Sequence, residues 1–308
     1  MSLKPETLQH AIADLHTAQD WWRWAASEMN RHQVFFGHGT VNAWDEAGAL
    51  VMQTLDLPHD YIKVIGECRL TREERELLAE RLRQRINERR PLPYITGKAY
   101  FCDLEFYVDE RVLIPRSPVA ELIQNRFQPW MGQQSVNRIL DLCCGSACIG
   151  IACAEAFPEA EIVAADISAE ALDVAALNVE RYHLQEQVAL VQSDGLHALV
   201  GERFDLIVCN PPYVDAEDMA SLPAEYQHEP ELALASGDDG LDFVRTLLRE
   251  AANHLTENGV LICEVGNSVR HVIEQFPQVP FTWLEFEHSE DGVFLLTAIE
   301  LKKYFPAR

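Results

Sequence analysis

Phe204-Asp205-Leu206-Ile207-Val208-Cys209-Asn210-Pro211-Pro212-Tyr213 is the stretch on which the reading of this chain turns. The apolar run from Phe204 to Cys209 has the length of a strand buried on both faces, and the double proline ends it. Pro211 and Pro212 lack N–H groups and cannot extend a ladder. In an open α/β sheet the carboxyl ends of the strands border the ligand crevice, which makes the polar Asn210 at that edge a candidate site residue. Asn210 carries an amide, Pro211 a carbonyl acceptor and Tyr213 an aromatic face. Together these groups suit a planar –NH2 group, held by its two hydrogens while the ring packs on the flat system that carries it. An amide or an aromatic amine meets that description. The competing reading is a plain strand-ending turn, which Pro-Pro alone favours.

Outward from this stretch the sequence alternates strand and helix. Val136 to Asp141, Ala160 to Asp166, Val188 to Asp194, Asp205 to Cys209 and Val260 to Glu264 read as strands, with helical patterns over Ala169 to Tyr182 and Leu241 to Leu255. That alternation specifies a parallel sheet covered on both faces. Phe281 to Phe286 and Val293 to Thr297 add a terminal hairpin, so the expected α/β fold is a doubly wound sheet of seven strands.

Asp141-Leu142-Cys143-Cys144-Gly145-Ser146-Ala147-Cys148-Ile149-Gly150 occupies the first strand-to-helix junction of the sheet. Small residues there let a ligand approach backbone N–H groups and a helix N-terminus. Asp166 ends the next strand, where a carboxylate can accept from both hydroxyls of a ribose. Asp194, followed by Gly195, ends the third strand, either meeting an adenine edge or serving only as a helix cap. Two cofactors compete for this arrangement. Gly145-x-Ala147-x-x-Gly150 loosely matches the dinucleotide fingerprint, while Asp141 with positions 143, 145 and 147 matches the D-x-G-x-G-x-G loop of S-adenosylmethionine enzymes, with Gly at the middle position alone. The clamp at Asn210 decides between them: a hydride-transfer enzyme has no evident use for one, and a methyl-transfer enzyme does.

The N-terminal region has a different texture. Residues 1 to about 90 carry helical spacing, clearest where Thr71 and Glu74 form a capping-box pattern before Leu78, Leu82 and Ile86, and Pro91 stops the helix. The arginines of that helix, Arg72 to Arg90, read as a solvated face with i, i+4 ion pairs, and Trp21, Trp22, Trp24, Phe35, Phe36 and Trp44 read as core. From Pro93 to Pro115 the pattern turns β-like, with strands Tyr100 to Val108 and Arg111 to Ile114 about an Asp109-Glu110 turn. The expected division is therefore a helical domain at 1–92, a β-hairpin linker at 93–118 and a sheet domain at 119–308.

A formal charge of −24 repels phosphate backbones and attracts a basic partner. Cys143, Cys144, Cys148 and Cys153 crowd one segment without paired C-x-x-C spacing, the pattern of reduced packing thiols and not of a metal site. No apolar run reaches membrane-spanning length, and Met1-Ser2-Leu3-Lys4-Pro5-Glu6 lacks a secretory pattern, so a cytoplasmic chain without membrane contact is expected.

Pro93-Tyr94-Ile95-Thr96-Gly97, Ile114-Pro115-Arg116-Ser117-Pro118, the loop after Asp141, Asn210-Pro211-Pro212-Tyr213, and Glu229-Pro230-Glu231-Leu232-Ala233-Leu234 followed by Gly240-Leu241 carry a resemblance over nearly the whole chain. It resembles the class I S-adenosylmethionine methyltransferases that modify glutamine side chains in proteins of the translation machinery. Arg116-Ser117-Pro118, Cys143, Gly37-His38-Gly39-Thr40 and the continuation Val214 to Met219 are similar to the branch acting on the third large-subunit ribosomal protein, and not to the branch acting on release factors. The resemblance implies a Rossmann-like sheet, S-adenosylmethionine converted to S-adenosylhomocysteine without a metal, and a basic ribosomal protein as partner with no direct nucleic acid contact. It implies that Asn210, Pro211, Pro212 and Tyr213 hold the acceptor, that Cys143, Cys144, Gly145, Ser146 and Ala147 line the methionine end of the cofactor, that Asp166, Asp194 and Gly195 hold its adenosine, and that Asp141 and Asn210 complete the cofactor site. Ala147 departs from the usual Gly, and Gly195 from a bulkier residue. Methylation of release factors, methylation of adenine in nucleic acid and a non-catalytic ribosome-assembly role are the alternatives.

Overall fold

The computed structural model describes residues 2–132, 135–287 and 292–306. The chain divides into two compact units, Met1–Ala99 with Pro223–His228, and Tyr100–Leu222 with Glu229–Arg308.

The first unit is helical, with helices at Pro5–Asp14, Ala18–Arg31, Ala43–Thr54, Ile62–Ile65, Arg72–Asn87 and Leu92–Thr96. Thr71 and Glu74 form the anticipated capping box, each side chain bonded to the other's backbone. Leu78, Leu82 and Ile86 from that helix meet Trp21, Met29 and Leu50 in the core. Two readings change. Arg72 pairs with Glu76 on the surface, but Arg85 is 1% exposed and ion-paired to Glu46 and Glu225, both also buried. Glu225 also takes the backbone N–H of Phe35, so residues 223–228 fold with the helices although they lie far along the chain. Of the aromatic group, Trp21 is core, whereas Trp44 is half exposed and carries Trp22 against it at 4.3 Å.

The hairpin is shorter than its sequence pattern, with strands β1 (Ala99–Phe101) and β2 (Leu104–Phe106). Its turn is Cys102-Asp103, not Asp109-Glu110, because both residues take left-handed conformations (φ 49° and 63°) that suit a two-residue hairpin turn. Asp109 makes only a local turn, accepting from the N–H and guanidinium of Arg111. The expected strand at Arg111 to Ile114 is absent; the Ile114 N–H goes to the Glu229 carboxylate at 3.0 Å instead of a ladder. Pro93 to Thr96 is likewise helical, closed by left-handed Gly97.

The second unit is built on β3 (Arg138–Leu142), β4 (Glu161–Asp166), β5 (Val188–Gln192), β6 (Phe204–Cys209), β7 (Leu255–Glu264), β8 (Thr282–Trp283) and β9 (Val293–Thr297). Their spatial order is β5-β4-β3-β6-β7-β9-β8. The pairs β5-β4, β4-β3, β3-β6 and β6-β7 are parallel, and β9 runs antiparallel to both neighbours. Apolar clusters cover both faces, as the uninterrupted strand hydrophobicity requires. The connection between β8 and β9 passes through residues 288–291, outside the described residues. Strand order reverses at β3, with β4 on one side and β6 on the other, so the crevice of the sheet opens between the ends of β3 and β6. No described helix is long and apolar enough to cross a membrane.

Candidate active site

Beyond β3 the backbone of Cys143, Gly145 and Ala147 is left-handed, with φ of 62°, 52° and 59°. These are the three positions at which the D-x-G-x-G-x-G pattern has glycine. Only glycine takes that conformation freely, and any other residue costs about 1–2 kcal/mol there. Cys143 and Ala147 therefore hold the loop in its shape at a conformational cost. Three of the loop's N–H groups are engaged within the protein. The N–H of Cys144 goes to Ala165 O, that of Gly145 to Asp166 Oδ2 at 2.9 Å, and that of Ala147 to Cys144 O. It is a braced wall.

Asp141 stands behind that wall, not in it. It is 1% exposed, and its Oδ2 accepts the N–H of Gly150 at 2.8 Å in the first turn of the helix Cys148–Ala156. Burial pushes its carboxyl up to about 7, with the Gly150 hydrogen bond working against the shift and the Asp166 charge adding to it. Asp166 is also raised by burial, against the N–H groups of Ser168, Gly145 and Ile167.

A cavity of about 250 Å³ lies over these strand ends. Cys143, Cys144, Gly145, Ser146, Asp166, Asp194, Gly195, Asn210 and Pro212 line it, whereas Asp141, Ala147, Pro211 and Tyr213 do not. Arg111 to Leu113, Ile167 beside Asp166 and Phe243 also line it and had no local signal in the sequence, whereas Arg116, Pro230, Leu232 and Ala233 come from motifs that carry the resemblance. The Asn210 Oδ1 is buried without a hydrogen-bond partner. An orphaned buried acceptor costs about 1–3 kcal/mol, and a ligand N–H would relieve it.

Three sequence motifs converge beside Asn210. Arg116 grips Glu229 with both nitrogens, at 2.6 and 2.8 Å. Val214, next to Tyr213, exchanges backbone hydrogen bonds with Leu234 and Ser236. The Tyr213 hydroxyl donates to Glu264 at the end of β7. Among the described residues no group of three or more His, Cys, Asp or Glu side chains is placed to hold a metal ion, and the eight cysteines are free thiols.

Comparison with known proteins fits this geometry. The chain is 49% identical over 297 residues to the ribosomal protein uL3 glutamine methyltransferase of Francisella tularensis, spanning 96% of this chain and 95% of that one. The corresponding protein of Xanthomonas campestris is 46% identical, over 94% of both chains. The chain belongs to the ribosomal protein uL3 glutamine methyltransferase family. As a member of that family it is a methyltransferase, and the Methyltransferase small domain description matches residues 123–225, from ahead of β3 to beyond Tyr213. Among solved structures, the hMettl16 catalytic domain in complex with the MAT2A 3′UTR hairpin 6 is 16% identical, covers 73% of this chain and 80% of that one, and has a TM-score of 0.49. That distant likeness says nothing of the acceptor.

Proposed function

We propose that this methyltransferase moves a methyl group from S-adenosylmethionine to the side-chain amide nitrogen of a glutamine in ribosomal protein uL3, releasing S-adenosylhomocysteine. The observation that carries the reading is the unpartnered, buried Oδ1 of Asn210 at the edge of the strand-end cavity. The names of the Francisella and Xanthomonas relatives support the acceptor. The residues present fit the cofactor: a half-buried carboxylate at the end of β4 for ribose hydroxyls, a wall of small side chains from Cys143 to Ser146 for the methionine end, and Asp194 with Gly195 bordering adenine. When bound, the cofactor supplies an activated methyl on a positively charged sulfur.

An amide nitrogen is a poor nucleophile because its lone pair is delocalised into the carbonyl, so orientation decides the rate. Asn210 Oδ1 would accept one N–H of the acceptor and the Pro211 carbonyl the other, with Pro212 keeping the turn stiff and the Tyr213 ring packed on the amide plane. Both acceptors also favour the positive charge that develops on nitrogen during attack. The methylated nitrogen is acidic enough to lose its proton without a dedicated base. Asp141 and Ala147 would serve the cofactor indirectly, by bracing the loop. The helical unit would read the acceptor protein, with residues 93–118 as linker and 119–308 carrying the chemistry. The net charge of −24 supports a basic acceptor and disfavours contact with nucleic acid, and the proposed meeting is in the cytoplasm without membrane contact.

The test is transfer of labelled methyl from S-adenosylmethionine into uL3, into release factors and into naked nucleic acid, each with mapping of the product. Label on a uL3 glutamine is expected. Label on a release factor would overturn the acceptor and keep the chemistry; label on adenine would overturn both.

A further inference from the structure

We infer that Glu264 is a positioning residue for the acceptor amide, acting through Tyr213; this rests on the function proposed above. Glu264 is the last residue of β7 and only 2% exposed. Cys209 and Cys263 are register partners on the parallel strands β6 and β7, so Asn210 and Glu264 emerge side by side at the same sheet edge. A carboxylate buried there is costly unless its oxygens are satisfied, and an apolar residue would end the strand more cheaply. Each oxygen has a dedicated hydroxyl: Oε1 accepts from Tyr213 at 2.8 Å and Oε2 from Ser117 at 2.6 Å.

These bonds leave Tyr213 one orientation. Its carbonyl accepts from the Ser268 hydroxyl at 2.8 Å. Its ring lies so close over Gly266 that a Cβ added there would sit 2.4 Å from Tyr213 Cε2, and one added at Gly240 would sit 2.2 Å from the Tyr213 carbonyl oxygen. The residue is held at the hydroxyl, at the ring face and at the backbone. Asn210 and Pro211 lie three and two residues before it across the rigid Pro212, so fixing Tyr213 fixes the two acceptors that hold the glutamine amide. Ser117 also lines the cavity, so the same carboxylate ties the cavity wall to the Asn-Pro-Pro-Tyr turn.

Glu264→Met keeps the volume and removes both acceptors, while Glu264→Gln keeps an oxygen for Tyr213 and offers its amide to Ser117. In the full chain, with uL3 as acceptor, Glu264→Met is expected to lower kcat by about ten- to a hundredfold, with S-adenosylhomocysteine affinity by calorimetry held within about threefold. Glu264→Gln should recover most of that loss. Tyr213→Phe breaks the same bond from the other end, and combined with Glu264→Met it should add nothing. A purely structural role predicts a different pattern: losses that multiply, cofactor affinity falling in step with kcat, or full activity in the Met variant. Any of these overturns the inference. If Glu264→Met does not fold, unchanged kcat in Tyr213→Phe overturns it instead. No transfer by the unaltered chain, despite measured cofactor binding, overturns the underlying function and the inference with it.

Discussion

The loop from Cys143 to Ala147 and the edge around Tyr213 flank the candidate site but are built in opposite ways. The loop takes its shape from consecutive residues and from the neighbouring end of β4, through the Gly145 bond to Asp166 and the Cys144 bond to Ala165. The Tyr213 edge takes its fixed points from distant segments, with Ser117 separated by 147 residues from Glu264 and Arg116 by 113 from Glu229. A locally built wall tolerates substitution at a modest conformational cost, which is why Cys143 and Ala147 stand where the pattern has glycine. An edge built from buried carboxylates and close backbone contacts has no such slack, since a displaced group leaves another unsatisfied.

The sharpest break in this comparison is Asn210→Ala. Turnover should fall by roughly a hundredfold or more through loss of one acceptor of the substrate amide. Stability of the free protein should not fall, because the residue removed carries an orphaned buried oxygen. Steady-state kinetics beside urea unfolding checks both signs; unchanged turnover rejects the assigned role.

The same chemical change made on each side is the next test. Gly266 and Gly145 have similar left-handed φ values, 45° and 52°, so an added methyl strains both backbones alike. At Gly266 that methyl collides with the Tyr213 ring, whereas at Gly145 nothing lies within 4 Å. Gly266→Ala should cost about 3 kcal/mol and Gly145→Ala about 1–2 kcal/mol, read from urea unfolding. Equal costs would mean that the Tyr213 edge has the slack denied to it here.

A pH-dependent effect tests the place given to Asp141 behind the loop. The unfolded Asp141 carboxyl loses its proton near 3.8, while the folded one holds it to about 7. Between those values the folded state binds more protons, so this group makes stability fall as pH rises from about 4 to 7. Asp141→Asn should flatten that part of the stability profile while leaving Gly150 an acceptor. A slope that survives the substitution would remove Asp141 from the account.

Much of this was legible beforehand because burial leaves periodic marks. The strand cores, the Thr71 capping box, the switch from helical to β pattern and the Asn-Pro-Pro-Tyr turn are short-range features, and the structure has them close to where the pattern put them. The hairpin was misread because alternation at Tyr100 to Val108 gives no sign that Cys102 and Asp103 adopt left-handed φ and turn the chain early. Arg85 was misread as a surface residue because the arginines of its helix look alike in one dimension, and only Glu46 and Glu225 distinguish it.

By itself, then, the amino-acid sequence determined the two kinds of architecture, the strand ends at which the candidate site lies and the family, since local hydrophobic period and turn chemistry act over a few residues. Tertiary structure alone decided which carboxylates are buried partners. Glu225 and Glu264 read like any solvated glutamate among the 49 acidic residues, Glu229 is marked only as part of a motif, and all three become fixed points only where the fold removes water and delivers Arg85, Arg116 or the Ser117 and Tyr213 hydroxyls. A charge withdrawn from water must find its partner in space, and distance along the chain carries no record of that meeting.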